Sequence, residues 1–277
     1  MNVLRRLAAR ATLALAAVLA AALPAMAQEL VFSVTEGVTY QATPKEVRDK
    51  FEPLAEALAK GLKRPVRIVL VPSYNDTRAG LKAQQYDLAF IHPAHVALEA
   101  IKSGQYKAVA WTQGYTEYTA QVLGPASAPL KSFADIKGHS LVTPERDSIT
   151  WAMVNAMLRE QKFGKDDVKV MNTRYQDAVP FYIDKGFAEY GATAANAVVK
   201  SWTEKGGKSY AKSRPVPIKQ VIGSTRLAQA DLDRIREILV SLSQTDAGQK
   251  VLAATGYKGF VAPNPEVEKS VMAWLGI

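Results

Sequence analysis

Residues 86–98, Tyr-Asp-Leu-Ala-Phe-Ile-His-Pro-Ala-His-Val-Ala-Leu, carry the pattern best suited to binding chemistry, because an apolar run at 87–91 leads directly into His92, Pro93 and a helical sequence. Pro93 suits a first helical turn, where its missing N–H costs nothing. A strand-to-helix junction of this kind turns backbone N–H groups outward at the carboxyl end of a strand, where open α/β sheets hold anionic ligands. His92, at the helix start, is the expected contact, and His95 is a packing residue or one that supports the residues touching the ligand. Their spacing of three also suits a metal, but two histidines without a nearby carboxylate fall short of the four ligands of a structural zinc site, so neither metal nor cofactor is expected. Tyr74, after the apolar run at 66–71, and Tyr40, just before Thr43, can each offer a phenolic hydrogen bond to an oxyanion, or simply cover the edge of a core. Catalysis finds no equipment: the chain has no cysteine and no G-x-S-x-G, H-E-x-x-H or P-loop sequence, and nothing sets Ser148 beside a His and an Asp. The chemistry on offer is capture of a small anion, not turnover.

Those groups need a scaffold, and the sequence supplies alternating elements. Thr43-Pro44-Lys45-Glu46 is a capping box with proline at the first helical position, after which Val47, Phe51, Leu54 and Leu58 recur at helical spacing and Gly61 closes the helix. A strand at 66–71, a helix at 75–84 and the strand at 87–91 follow. This alternation predicts a mostly parallel sheet with helices on both faces. Strands are expected at 108–111 and 119–123, then a Gly/Pro/Ser-rich loop at 124–129 marks a change of lobe. The pattern restarts with a strand at 140–143, a helix at 148–161, a strand at 168–171 and a helix at 175–184 that Pro180 should kink or shorten. A strand at 218–222 can cross back to the first lobe, and helices at 231–243, 246–254 and 265–275 close the chain.

At the N-terminus, Arg5, Arg6 and Arg10 precede an apolar run at 11–23 and the sequence Pro24-Ala25-Met26-Ala27. The run is short of the ~20 residues of a spanning helix and ends in an A-x-A site, so residues 1–27 are expected to be a cleaved secretory signal and the mature chain to start at Gln28 in the periplasm. Loss of 1–27 removes three arginines and no acid, taking the formal charge from +9 to +6. That balance suits an anionic partner, while the scattered lysines argue against nucleic acid.

In order and spacing, several segments resemble the phosphate/phosphite/phosphonate class of ABC-transporter solute-binding proteins, from about residue 30 to the end. They are Asp87-Leu88-Ala89-Phe90-Ile91 with Pro93-Ala94 and Val96, preceded by Gly80-Leu81 and Tyr74; Phe51-Glu52-Pro53-Leu54-Ala55; Phe133-Ala134-Asp135-Ile136-Lys137-Gly138; and Asp246 to Leu252 with Gly256-Tyr257 and Phe260. The resemblance implies an α/β, two-lobed periplasmic-binding-protein fold of type II kind, each lobe a mostly parallel sheet flanked by helices, with two crossover strands as hinge. Lobe 1 would hold residues 28–118 and 225–277, and lobe 2 residues 119–224. It also implies a monomer that closes around a small oxyanion and delivers it to an ABC permease of the inner membrane.

Residue by residue, 142–150 stands where the family has D-P-x-S-T-S-G, which implies oxyanion-binding hydroxyls from Ser148 and Thr150 and a cap from Asp147, with Arg146 an added cation and the family glycine missing. An ordinary helix cap by Asp147 or Ser148 is the plain alternative. Tyr175 stands in place of a ligand-touching His, and Glu189 in place of an Asp at the site, where a longer carboxylate would favour protonated anions or zwitterions. These departures leave the ligand open. A sensor of the same fold that reports to a membrane kinase, or an iron carrier using Tyr, His and Glu, would share the architecture.

Overall fold

In the computed structural model, residues 28–36 and 43–277 are described; the expected leader and Tyr40 lie outside them. The chain runs β1 (Leu30–Glu36), α1 (Pro44–Leu62), β2 (Val66–Leu70), α2 (Tyr74–Lys82), β3 (Leu88–His92), α3 (Ala94–Lys102) and β4 (Tyr106–Thr112), and then crosses to a second unit. That unit holds β5 (Gln121–Gly124), β6 (Ser140–Pro144), α4 (Ile149–Glu160), β7 (Lys169–Thr173), α5 (Val179–Asp184), β8 (Tyr190–Thr193), α6 (Asn196–Glu204) and β9 (Lys208–Lys212). The chain returns to form β10 (Gln220–Ser224), α7 (Gln229–Ser241), α8 (Asp246–Thr255), β11 (Phe260–Val261) and α9 (Pro265–Leu275).

Two mixed sheets result, with strand orders β11-β4-β10-β3-β1-β2 and β7-β6-β8-β5-β9. Within each sheet, β1 to β3 and β6 to β8 pair in parallel. The exceptions have a simple cause. β5 and β10 each follow a crossing, so the chain enters the new sheet at the carboxyl ends of its neighbours and must run against them. The crossings themselves pair side by side: the Tyr118 and Val216 backbones exchange hydrogen bonds of 3.1 and 2.9 Å, and Ser213 N donates to Ala120 O at 2.8 Å. The edge on which β1, β3 and β4 end therefore faces the same junction as the edge on which β6, β7 and β8 end.

The boundary expected after residue 224 falls earlier. Val221 lies opposite Phe90 and Ala110, and all five residues of β10 are buried in the first sheet, so the return crossing is 213–219. Helix α1 begins as expected, with Thr43 Oγ1 accepting from Glu46 N at 3.2 Å and the Glu46 carboxylate accepting from Thr43 N at 2.7 Å. It does not stop at Gly61. A Cβ there would sit 2.5 Å from Ile238 Cδ1, so the glycine lets α1 pack closely on α7, and the helix ends instead at Lys63 in the left-handed conformation. Pro180 shortens its helix: residues 176–178 form a 3-10 turn and α5 starts at Val179, with the proline in its first turn.

Phe32, Phe51, Leu54, Leu58, Phe90 and Val221 fill the core between the first sheet and α1, α7 and α8. A second core joins the two units, because Ala94 and Leu98 of α3 and Val271, Trp274 and Leu275 of α9 pack with Met153, Val154 and Met157 of α4. Helices of the first unit thus brace the helix that starts at the junction.

Candidate ligand-binding site

Helix α4 opens at the carboxyl edge of the second sheet, directly after β6. Ser148 is its N-cap and is buried, with Oγ accepting from Trp151 N at 3.1 Å, so the plain capping role is present. Ala152 N is the first intrahelical donor, bonding to Ser148 O, and Trp151 N is taken by Ser148 Oγ, which leaves the amides of Ile149 and Thr150 without an intrahelical acceptor. The Ser148 hydroxyl keeps a proton to donate. Thr150 is fully buried, and its Oγ1 has no hydrogen-bond partner among the described residues. Tyr175 sits at the same edge, at the end of β7, partly buried beneath the Arg174 guanidinium at 5.2 Å. Thr193, ending β8, is buried and donates to Gln176 Oε1 at 2.9 Å.

From the first unit, His92 ends β3, one strand residue short of the helix start expected for it, and Pro93 is the N-cap of α3 rather than its first residue. His92 is buried, and that burial, reinforced by the nearby Lys219 charge, pushes its pKa down to about 3, so it is neutral at neutral pH. Tyr74 is the first residue of α2, buried, with its ring edge-on to His95 at 6.5 Å. His95 reaches across the junction, its Nε2 lying 3.4 Å from Asp147 Oδ1.

Asp147 does not cap α4. Its two carboxylate oxygens accept from Arg78 Nη1 and Nη2 of α2, each at 2.8 Å, a bidentate pair that ties the first unit to the second. Burial alone would raise the Asp147 carboxyl, but the hydrogen bonds from His95 and Arg78 outweigh it and hold the group well below the usual carboxylate range. Glu99 of α3 accepts from Arg78 Nε at 2.7 Å and so aims the guanidinium. Sequence reasoning missed Arg78, since an arginine on a nine-residue amphipathic helix looks like any solvated one.

Glu189 is not part of this group. It precedes β8, at the amino end of the strand, whereas Ser148, Tyr175 and Thr193 lie at carboxyl ends. Its carboxylate is exposed and engaged, 2.8 Å from His139 Nδ1 and accepting from Ser140 N at 2.9 Å, bonds that hold it below its ordinary pKa. Aligning it with a site aspartate fails because the end of the sheet it occupies faces away from the junction. Among the described residues, no three His, Cys, Asp or Glu side chains come together as metal ligands.

At the carboxyl end of β1, Glu36 forms a second group that the sequence did not suggest. Its Oε1 accepts from Lys50 Nζ at 2.5 Å, Tyr257 OH at 2.5 Å and Lys219 Nζ at 3.3 Å. Lys219 is buried between the rings of Tyr115 and Tyr257, 4.5 and 4.9 Å from their centroids. Its signal in the sequence is a lysine inside the apolar stretch 216–222, where a charge is rarely buried without a task.

Solved structures share this architecture. A Xanthomonas citri protein bound to ATP aligns with a TM-score of 0.75 at 13% identity, covering 90% of this chain and 97% of its own. PhnD1 of Prochlorococcus marinus, in complex with methylphosphonate, aligns with a TM-score of 0.64 at 12% identity, covering 89% of this chain and 96% of its own. The periplasmic aliphatic sulphonate binding protein SsuA of Escherichia coli aligns at 0.59 and 13%, covering 90% and 85%. Identities this low speak for a shared two-lobed fold. No curated protein sequence matches the chain at a significant level. The family model for periplasmic phosphonate substrate-binding proteins of ABC transporters matches residues 37–267, a span that takes in every strand but β1 and both crossings. With nearly the whole chain inside that match, the protein belongs to the phosphonate-type periplasmic substrate-binding proteins of ABC transporters.

Proposed function

We propose that the protein captures a small oxyanion with a phosphonate-like head between its two lobes, by hinge closure, and presents it to an ABC permease as a monomer exported by residues 1–27. The observation that carries this reading is the buried start of α4, where the Ser148 hydroxyl, the Thr150 hydroxyl and the Ile149 and Thr150 amides gather at the sheet edge opposite neutral His92 and Tyr74. A helix start of this kind favours an anion without committing a charged side chain. Tyr175 closes the same edge, and no covalent chemistry is assigned to any of these groups.

The test is a thermal-shift panel of methylphosphonate, inorganic phosphate, ethanesulfonate, sulfate and ATP, followed by calorimetry. A molecule that binds only the folded state at 100 times its dissociation constant adds about 2.7 kcal/mol of stability. Methylphosphonate or phosphate should stabilise most. Ser148→Ala should cost about 1 kcal/mol of stability through the lost cap and weaken methylphosphonate binding roughly tenfold. Ser148→Asp keeps the cap and sets a negative charge at the helix start, so it should fold normally and fail to bind. Stabilisation by none of the five compounds, or an unchanged dissociation constant in Ser148→Asp, would remove the reading.

A further inference from the structure

Among the described residues, the group around Glu36 holds two ammonium ions against one carboxylate. Lys50 and Lys219 both reach Glu36 Oε1, and the third partner, Tyr257, donates a neutral hydroxyl. Positions 1–27 and 37–42 contain no Asp or Glu, so those stretches supply no further acidic side chain. A surplus positive charge is thus set into the fold at the carboxyl edge of the first sheet. Lys50 is partly exposed and can be answered by water, whereas the Lys219 side chain is 5% exposed. Burying an ammonium beyond its share of counter-charge is costly, and a fold keeps such a group most readily where a ligand completes the balance.

Position supports the same conclusion. Lys219 ends the return crossing, its carbonyl accepting from Thr112 N at 3.0 Å, so it stands where the two units meet. His92 feels the charges of both Lys219 and His95, and His95 reaches Asp147, the residue before the N-cap of α4. The ammonium therefore lies on the first-unit side of the junction that the α4 start faces from the second. Resting on the oxyanion reading above, we propose that Lys219 is the charge-selecting residue of this site: its ammonium supplies the positive charge that a bound anion balances, while the helix start supplies uncharged hydrogen bonds.

Among the described residues, the groups facing Lys219 include Glu36 from β1, Lys50 from α1, His92 from β3, Tyr115 from the first crossing and Tyr257 after α8. Burial first, and then the Lys50 charge, lower the Lys219 pKa below the free lysine value. Binding that depends on this ammonium should weaken as pH rises toward 10, earlier than for a solvated lysine.

Lys219→Met and Lys219→Arg, assayed by calorimetry with methylphosphonate and inorganic phosphate from pH 7 to 10, test the proposal. Lys219→Met should weaken both anions at least tenfold at pH 7 without loss of thermal stability, because Lys50 and Tyr257 still satisfy Glu36. Lys219→Arg should bind within a few-fold of wild type and lose the alkaline decline, since arginine keeps its proton there. If wild type binds both anions and Lys219→Met binds them equally well, or if Lys219→Arg retains the alkaline decline, Lys219 is only a structural counter-ion and the proposal falls. If wild type binds no anion of the panel, the oxyanion reading falls and takes this proposal with it.

Discussion

Arg78→Gln should weaken methylphosphonate capture by roughly 30-fold while leaving the fold intact, although residue 78 belongs to α2 and is not a member of the α4 helix start. Two effects act together. The bidentate pair with Asp147 is lost, and hydrogen bonds between charged groups contribute about 1.5–3 kcal/mol when sheltered. Here the partners are 30% and 42% exposed, and a groove of about 490 Å³ lined by Arg78, Leu81, Val96 and Glu99 admits solvent, so the contribution is discounted toward 1 kcal/mol. The second effect is electrostatic. Without Arg78, the Asp147 carboxylate keeps its charge beside the α4 start and repels an incoming anion, an interaction of about 4 kcal/mol for unit charges roughly 4 Å apart near a surface and less at longer range. Together they amount to about 2 kcal/mol.

The double variant Arg78→Gln/Asp147→Asn should recover most of the loss, because neither a stranded charge nor half an ion pair remains; calorimetry on the cycle measures the coupling. Small-angle scattering should show Arg78→Gln with the larger radius of gyration. The pair is tuned to neutral conditions: Asp147 is held below its usual range only when paired, so its contribution to closure is present above about pH 4 and lost as pH falls below that. Equal binding in wild type and Arg78→Gln would show that the pair does not couple to the site.

Contrast between the elements that sequence alone located and those it did not follows from the range of the interactions. The α1 start needs only Thr43, Pro44 and Glu46, which are neighbours, and its buried face repeats Phe51, Leu54 and Leu58 at helical spacing. β3 is buried at every position and apolar from Leu88 to Ile91 because helices cover both faces of its sheet. The Ser148 cap is likewise local. The β8, α6 and β9 elements carried no comparable mark: Gly191 sits in β8 because α5 lies so close that a Cβ would meet Val179 Cγ1 at 2.4 Å, a constraint made by tertiary approach and invisible in Tyr-Gly-Ala-Thr. The Arg78–Asp147 pair joins residues 69 apart, and Glu36 and Lys219 are 183 apart. Glu189 shows the converse error. Its residue type and order suited a site, but which end of a strand a loop occupies depends on strand direction, which no single residue reports.

Wild-type stability should fall steeply as pH drops below 6.5, with a large share of the loss traceable to His92. In the folded chain, burial and the Lys219 charge depress its pKa to about 3, whereas the unfolded chain should titrate near the free value of 6.5. Between those values the unfolded state binds a proton that the native state refuses, so the contribution is fully present above about pH 6.5 and erodes as pH falls toward 3. The slope is about 1.4 kcal/mol per pH unit, or roughly 3 kcal/mol by pH 4, a sizeable fraction of the 5–15 kcal/mol that holds a typical domain together. His92→Gln keeps a polar side chain of similar reach and cannot titrate, so it should lose some stability at pH 7 yet show a flatter decline from pH 6.5 to 4. Urea unfolding of both proteins at pH 7, 6, 5 and 4 makes the comparison, and the other two histidines are common to both. The same depression means that His92 meets an anion as a neutral ring, which leaves the positive charge at the first-unit edge to the lysines. Parallel stability curves for wild type and His92→Gln would mean that the native ring takes up its proton as freely as the unfolded one, and both conclusions about His92 would fail.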